Sequence, residues 1–550
     1  MSKVKVNYNN KEYEYEKDTL LSDIAKDFKN DFEYDILVAS INNRVTSLNN
    51  KLTRNCKLRF FDITKFQGNV AYERGVLFLF SKAVRDVLNC DIKVHYTLDN
   101  GIYCEILTNN LISEVTVEKI KIEMRHLVER ALPITKIMVS RLDAIDYYTK
   151  INQMDKASSL RYISNSSVSL YKLDDMLDYF YGVLPNNTSY LKEFNVKFLK
   201  DNKVIIMIPY LFDIKRELKY AKNDKLLNVM EENDKYLTSM DIRTSVELNK
   251  IISTGNYNDL IRLSETLQND RLLEIADKIS KNKDIKLVLI TGPSSSGKTT
   301  TSKKLTLYLK SKGLKPINIS VDDFFIDMKD RVLDDNGEPE RERKSVIDRN
   351  QFNKKMSELL NGNEVYLPKF DFVLGKQVQS DKPTKLEPSS ILITEGLHAF
   401  NEKLTEMIPD KNKFKLYISP LTPLNIDNHN MFKWLDNRLL RRLIRDNYFR
   451  GTSASETLQL WKKVRKAEEE GVIPYMKDAD EILNTSLVYE LGVLKTYAEP
   501  LLFSVLEDDP NYDEAIRIIN LFRVILGMPS DGVPSDSLLR EFIGGSCFKD

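Results

Sequence analysis

The stretch Lys286–Leu305, KLVLITGPSSSGKTTTSKKL, sets an apolar run, a loop of small residues, one lysine and then threonines in that order. Leu287 to Ile290 read as a buried strand, and Gly292 to Gly297 give a backbone free enough to wrap around phosphate oxygens. Lys298 and Thr299 then open a helix. The spacing fits GxxxxGK[ST], in which loop amides and the helix N-terminus bind phosphate, the lysine reaches the outer phosphates, and the hydroxyl holds Mg²⁺. The residues placed to do so are Gly292, Ser294, Ser295, Ser296, Gly297, Lys298, Thr299 and Thr300. The plainer alternative is a Ser/Gly-rich turn. An apolar strand before the loop and the helical TTTSKKLTLYLKSKG after it favour the phosphate site.

Downstream, the runs PINISV, ILITE and FKLYIS alternate with helical segments, the signature of a parallel sheet covered on both faces. Ligands of such sheets sit at the carboxyl ends of the strands, where this chain carries the Gly loop, Asp322-Asp323 and Glu395. Phosphoryl transfer needs donor phosphates fixed and neutralised, and an acceptor oxygen aimed and deprotonated. Lys298 and Thr299 serve the donor. Glu395 is placed to order Mg²⁺ with Thr299; capping a neighbouring turn is its alternative role. Asp322 can take a proton from an attacking hydroxyl, and Asp323 can do so or cap a helix; the pattern does not separate them. In DNRLLRRLIRDNYFRG, Arg438, Arg441, Arg442 and Arg445 fall three or four apart and share one helix face, with Leu439, Leu440, Leu443 and Ile444 on the other. Such a stripe is either a solvated face paired with carboxylates or a cationic lid over triphosphate.

A chain of 550 residues exceeds one core, so two to four domains are expected. Lys and Arg total 82 against 81 Asp and Glu, a net charge of +1, which excludes a global basic field for coating nucleic acid. Cys56, Cys90, Cys104 and Cys547 lack CxxC spacing, which argues against a zinc ribbon or disulfide framework. The N-terminus has no signal-like apolar core and no apolar run is long enough to span a bilayer, so a cytoplasmic protein without membrane contact is expected.

Residues 1–66, with VKVNY, LLSDIAKDF and KLRFFDI, read as a small β-grasp-like α+β unit. Residues 67–210 read as a second α+β domain, and 211–284 as a helical linker in which Leu260, Leu263, Leu267, Leu272, Ile275 and Ile279 recur at near-helical spacing. The expected whole is multidomain: an α+β N-terminal half, a helical linker and, over 285–550, a C-terminal α/β P-loop domain with a parallel sheet.

Taken in order, GPSSSGKTT, SVDDFF, PKFDF, ITEG and RLLRRLIRD resemble the uridine kinase and phosphoribulokinase group of P-loop kinases, over about 286 to the C-terminus, with the uridine-cytidine kinases nearest. The resemblance implies Asp322 as the base for a nucleoside 5′-hydroxyl and Arg442, Arg445 and Arg450 as lid arginines. It also implies nucleobase packing on Phe370, Asp371 and Phe372. Gly375 stands where those kinases carry a base-reading histidine, and EPERERKSVID aligns poorly with their ribose-binding acidic stretch.

The front half resembles other proteins. VKVNYNNKEYEYEKDTLLSDIAKDF is similar to a TGS domain, and residues 98–106, 118–148 and 169–194 are similar to the editing-type second domain of threonyl-tRNA synthetase. Where that domain uses His-x-x-x-His and Cys-x-x-x-His, this chain has Arg74 and Phe78, then Phe180 and Leu184, so editing chemistry is expected to be absent. The resemblances together imply an ATP- or GTP-dependent, Mg²⁺-requiring kinase of a nucleoside, uridine or cytidine first. The front half then serves binding, regulation or assembly. A kinase of another small alcohol and a nucleotide-sensing RNA-binding regulator are the alternatives; RNA binding by the front half and a homo-oligomer stay open.

Overall fold

The computed structural model describes residues 3–98, 101–220, 222–333, 344–371, 374–421 and 424–548. The chain opens with β1 (Lys3–Tyr8), β2 (Lys11–Glu16), α1 (Leu21–Asp27), β3 (Val38–Ile41), β4 (Arg44–Thr46) and β5 (Cys56–Phe61). These strands form a five-stranded sheet in the order β2-β1-β5-β3-β4, with β1 and β5 parallel. Alternation in β1 sends Val4, Val6 and Tyr8 inward, against Leu21, Ile24 and Phe28 on or beside α1.

Next come α2 (Phe66–Leu88), β6 (Asp91–Leu98), β7 (Gly101–Leu107), α3 (Glu114–Glu129), β8 (Ile134–Ser140), α4 (Arg141–Lys150) and α5 (Met154–Ser159). The strands β9 (Ser167–Leu173), β10 (Met176–Asp178), β11 (Asn195–Lys200) and β12 (Lys203–Met207) follow. They make two antiparallel sheets, β10-β9-β8 and β11-β12-β7-β6, around the long apolar helix α2.

Helices α6 (Asp224–Ser239), α7 (Ser245–Ser253) and α8 (Tyr257–Lys281) lead into β13 (Leu287–Thr291), α9 (Lys298–Ser311), β14 (Lys315–Ser320), α10 (Arg349–Leu360) and the hairpin β15 (Pro368–Asp371) and β16 (Lys376–Gln379). After β17 (Ser390–Glu395) and β18 (Lys413–Ser419) come α11 (Trp434–Arg450), α12 (Ala454–Gly471), β19 (Glu481–Asn484), α13 (Glu490–Phe503), α14 (Tyr512–Phe522) and α15 (Arg540–Ile543). The sheet runs β14-β17-β13-β18-β19 and every pairing in it is parallel. The strands expected from the sequence are all present, and β19 adds an edge strand.

Every residue of β13 is buried because both of its faces are covered. Leu287 and Leu289 face a core shared with Phe352 and Met356 of α10 and with Leu226 and Met230 of α6. Val288 and Ile290 face Leu272, Ile275 and Ile279 of α8 and Leu305 and Leu309 of α9. Within α8, Leu263 departs from the expected apolar stripe and is 44% exposed. A further core joins Tyr148 and Leu160 of the front half to Leu248, Leu260, Leu439 and Leu443.

A buried polar cluster pins the same junction. The loop residue His429 places Nδ1 2.6 Å from Asp178 and Nε2 2.8 Å from Asp91, and Lys156 pairs with Asp178. Burial and the Lys156 charge oppose a protonated His429, yet Asp178 and Asp91 outweigh them and raise its pKa to about 10. Among the described residues all four cysteines are unpaired, and no helix is long and apolar enough to cross a membrane.

Candidate active site

Strand register gathers the site. Ile290 of β13 and Ser320 of β14 both lie opposite Glu395, the last residue of β17, so the Gly loop, Asp322 and Glu395 leave the sheet at one edge. The loop's glycines are there for space: a Cβ on Gly292 would stand 2.1 Å from the Ile418 carbonyl, and Gly297 has φ +87° beneath Leu538. Ser295 also takes a left-handed φ, +60°. The Lys298 ammonium folds back over the loop, donating to the Gly292 and Pro293 carbonyls at 3.0 and 3.1 Å. Burial lowers its pKa, while Glu395 and then Asp322 oppose that shift. Burial and the Asp322 charge in turn raise Glu395 to about 7. Lys298, Asp322 and Glu395 therefore share one electrostatic neighbourhood.

The paired aspartates diverge. Asp323 accepts the Phe370 amide at 3.3 Å, tying β14 to β15. The Asp322 amide instead receives support from Ser320 Oγ at 3.2 Å, and its carboxylate is felt at Lys298 and Glu395.

The arginine helix is not a solvated stripe. Arg438 and Arg441 are fully buried, because carboxylates, carbonyls and rings surround them. Arg438 lies between the rings of Trp434 and Trp461, pairs with Glu468 and donates to the Ser294 carbonyl at 2.9 Å. Arg441 pairs with Glu490 at 2.6 Å, reaches the Ser295 carbonyl at 3.4 Å and covers the Phe542 ring. These two brace the loop from behind and are not free to close over a ligand. Arg442 donates to Ser294 Oγ at 2.9 Å, and Asp446 collects Arg442, Arg445 and Arg450, at 3.0, 3.1 and 3.2 Å. Arg450 is the most exposed of the three, at 55% of its side chain.

Carboxylates missed in the sequence occupy the loop's donors. Glu468 accepts the Ser294 amide at 2.6 Å, and Glu541 of α15 accepts both the amide and the hydroxyl of Thr300, at 3.1 and 2.7 Å. These are the kinds of donor that GxxxxGK[ST] offers to phosphate. Thr299 opens the helix beside them. The Ser295 and Ser296 hydroxyls are buried without a hydrogen-bond partner, which fits a loop built to receive further acceptor atoms. Among the described residues no three His, Cys, Asp or Glu gather as a metal cluster. Mg²⁺ needs no such cluster, since one or two carboxylates and substrate phosphates commonly suffice.

The expected acceptor pocket is only partly assembled. Phe370 is buried, edge-on to Phe325, with the Arg331 guanidinium 5.2 Å over its ring. Asp371 caps the hairpin by accepting the Leu374 amide at 2.9 Å. Phe372 and residues 338–343 of EPERERKSVID lie outside the described residues. Gly375 has φ +64°, and a Cβ there would meet Met328 at 2.9 Å, so this backbone has no room for a histidine. In the front half, Phe78, Phe180 and Leu184 are buried, with Phe78 and Phe180 in ring contact at 5.3 Å.

Residues 287–489 match the Phosphoribulokinase / Uridine kinase family. A uridine kinase of Limosilactobacillus reuteri is 26% identical over 206 residues, 37% of this chain and 85% of that protein. The N-terminal region is similar to threonine–tRNA ligases; that of Francisella tularensis is 23% identical over 223 residues, 39% of this chain. The match spans about a third of that ligase, 34% of its length. Among solved structures, the D-glycerate 3-kinase of Cryptococcus neoformans aligns over 38% of this chain and 87% of its own at 16% identity, with a TM-score of 0.28.

Proposed function

We propose that the chain is a nucleoside kinase, transferring the γ-phosphoryl group of ATP or GTP to the 5′-hydroxyl of a nucleoside, with uridine and cytidine as first acceptors. The observation that carries this reading is the convergence of Lys298, Asp322 and Glu395 at the carboxyl edge of the parallel sheet. The Asp322 carboxylate takes the proton of the acceptor hydroxyl as its oxygen bonds to phosphorus; the bond from phosphorus to the bridging oxygen breaks, leaving nucleoside diphosphate and nucleoside monophosphate. Lys298, with the amides of Gly292–Thr300, holds the donor phosphates, and Arg442, Arg445 and Arg450 offset charge on the transferring group. Thr299 and Glu395 would hold Mg²⁺, which supplies neutralisation of the phosphate oxygens.

Phe370, Asp371 and Phe372 form the acceptor side. Since Gly375 offers no side-chain hydrogen bond, base selectivity is modest, and at least one purine nucleoside turns over measurably. The cover of Arg331 on Phe370 favours a second reading, a kinase of another small alcohol that needs no base pocket. In the front half, residues 1–66 act as a TGS-like unit and 67–210 as an editing-like domain whose hydrolytic site has been replaced by the apolar Phe78–Phe180 contact. Residues 211–284 link these to the kinase domain at 285–550. The deciding experiment is a screen of purified protein against nucleosides and small alcohols with ATP and GTP, measuring product and donor consumption together. Phosphorylation of a non-nucleoside alcohol alone selects the second reading, and donor hydrolysis without any acceptor rejects both.

A further inference from the structure

A second cavity, remote in sequence from the Gly loop, lies where the front half meets the C-terminal helices. It measures about 590 Å³, within the range of small-molecule sites. Its walls carry Arg44, Arg54, Arg74, Lys136, Arg517 and Arg523, contributed by β4, the turn before β5, α2, β8, α14 and the chain just after α14.

The acidic side chains there, Asp513 and Glu514, do not balance them. Asp513 is engaged by Gln67 and, at 3.9 Å, by Arg59; Glu514 is engaged by Arg517, which also pairs with Asp436. Among the described residues, Arg44, Arg54, Arg74, Lys136 and Arg523 have no carboxylate partner. Arg74 is the informative member. It rises from the buried helix α2, and its guanidinium lies over Gly182 so closely that a Cβ there would come within 2.3 Å of it. Burial and then the neighbouring Arg517 charge lower its pKa, against the opposing pull of Glu73, Tyr171 and Asp436. Arg74 is part-buried at the cavity wall with no carboxylate among the described residues at ion-pair distance, and its planar fork of donors suits a phosphate. Beside it, Phe180, Tyr179 and Val183 give the cavity an apolar wall, while the Tyr171 hydroxyl is committed to the Gly182 carbonyl at 2.9 Å.

From this juxtaposition we propose that the cavity binds a phosphorylated small molecule of about nucleotide size, its phosphate on Arg74 and its apolar or aromatic body against Phe180. This site lies outside the kinase reading and does not depend on it. Arg74 stands at a position that the editing-type resemblance gives to a catalytic histidine, and it replaces proton management with anion capture.

The test is hydrogen–deuterium exchange on the full chain with uridine 5′-monophosphate, with inorganic phosphate and with a single-stranded RNA oligonucleotide, in wild type, Arg74→Met and Arg74→Lys. The mononucleotide is expected to slow exchange in Phe66–Leu88 and Tyr512–Phe522, separately from any response at the Gly loop. Arg74→Met should weaken the α2 and α14 response about ten- to a hundredfold in the titration midpoint, leave the Gly-loop response unchanged, and Arg74→Lys should restore part of it. Inorganic phosphate should compete for the α2 response at higher concentration, because it lacks the body that fills the cavity. Without ligand, Arg74→Met should melt no lower than wild type, since it removes an unpaired cation. A response confined to the Gly loop, α2 protection that survives Arg74→Met, or protection by RNA but not by the mononucleotide would each overturn the proposal. A lowered melting midpoint in Arg74→Met would assign Arg74 to holding the fold instead.

Discussion

Replacing Glu541 by Gln probes the most direct consequence of the geometry, that the C-terminal helix competes with nucleotide for the Gly loop. Its carboxylate accepts the Thr300 amide at 3.1 Å and the Thr300 hydroxyl at 2.7 Å. Glutamine keeps the length and one acceptor oxygen but removes the charge. Hydrogen bonds to charged groups contribute about 1.5–3 kcal/mol and neutral ones about 0.5–1.5, so neutralisation weakens this contact by about 1–1.5 kcal/mol. Loss of an anion from the first turn of α9 adds about 0.3–1 kcal/mol. The sum, about 1.3–2.5 kcal/mol, stabilises only the form in which α15 sits on the loop. Removing it should tighten nucleotide binding roughly ten- to seventyfold if that form dominates the free protein. Calorimetric titration of ATP into wild type and Glu541→Gln measures this directly, and the variant should also melt lower than wild type without nucleotide. Equal affinity in the two proteins, or weaker binding by the variant, would refute the competition.

Lys298→Ala should lower turnover by at least about 10²–10³-fold, because it removes a fixed charge from the donor phosphates; unchanged steady-state rates would take the Gly loop out of the reaction. Asp322→Asn should slow transfer by about 10²–10⁴-fold in single-turnover assays while nucleotide still binds, and Asp323→Asn should do less, since its amide oxygen can still accept from Phe370. The reverse ranking would exchange their roles. Gly375→His, which would restore the residue type of the uridine-cytidine kinases, should cost stability by at least the ~1–2 kcal/mol of a left-handed residue, given its φ of +64° and the 2.9 Å approach to Met328. It should not sharpen uridine over purine turnover, and a stable, more selective variant would contradict this. His429 has a folded pKa raised to about 10 from 6.5, so the stability it contributes is fully present below about pH 6.5 and is lost as pH rises through about 10. Urea unfolding compared at neutral pH and above pH 10 should show that loss in wild type and a smaller one in His429→Gln; equal losses would remove His429 as its source.

Local pattern was enough for much of this molecule. The strand, loop and helix at Leu287–Ser311 follow from a short apolar run, two spaced glycines and helix formers, each acting on its own neighbours in the chain. The parallel sheet was legible for the same reason. Tertiary structure alone decided what those residues face. Helical spacing put four arginines on one side of α11 but carries no information about partners, and Glu468 and Glu490, from α12 and α13, turn Arg438 and Arg441 into buried braces. Adjacent aspartates are equivalent in a pattern, and only the passage of β15 past Asp323 tells them apart. Glu541 meets Thr300 across 241 residues, and the cavity at Arg74 draws its walls from both ends of the chain. Periodicity fixes which face of an element seeks cover; which element supplies that cover, and which charges arrive with it, is set by packing between segments distant in sequence.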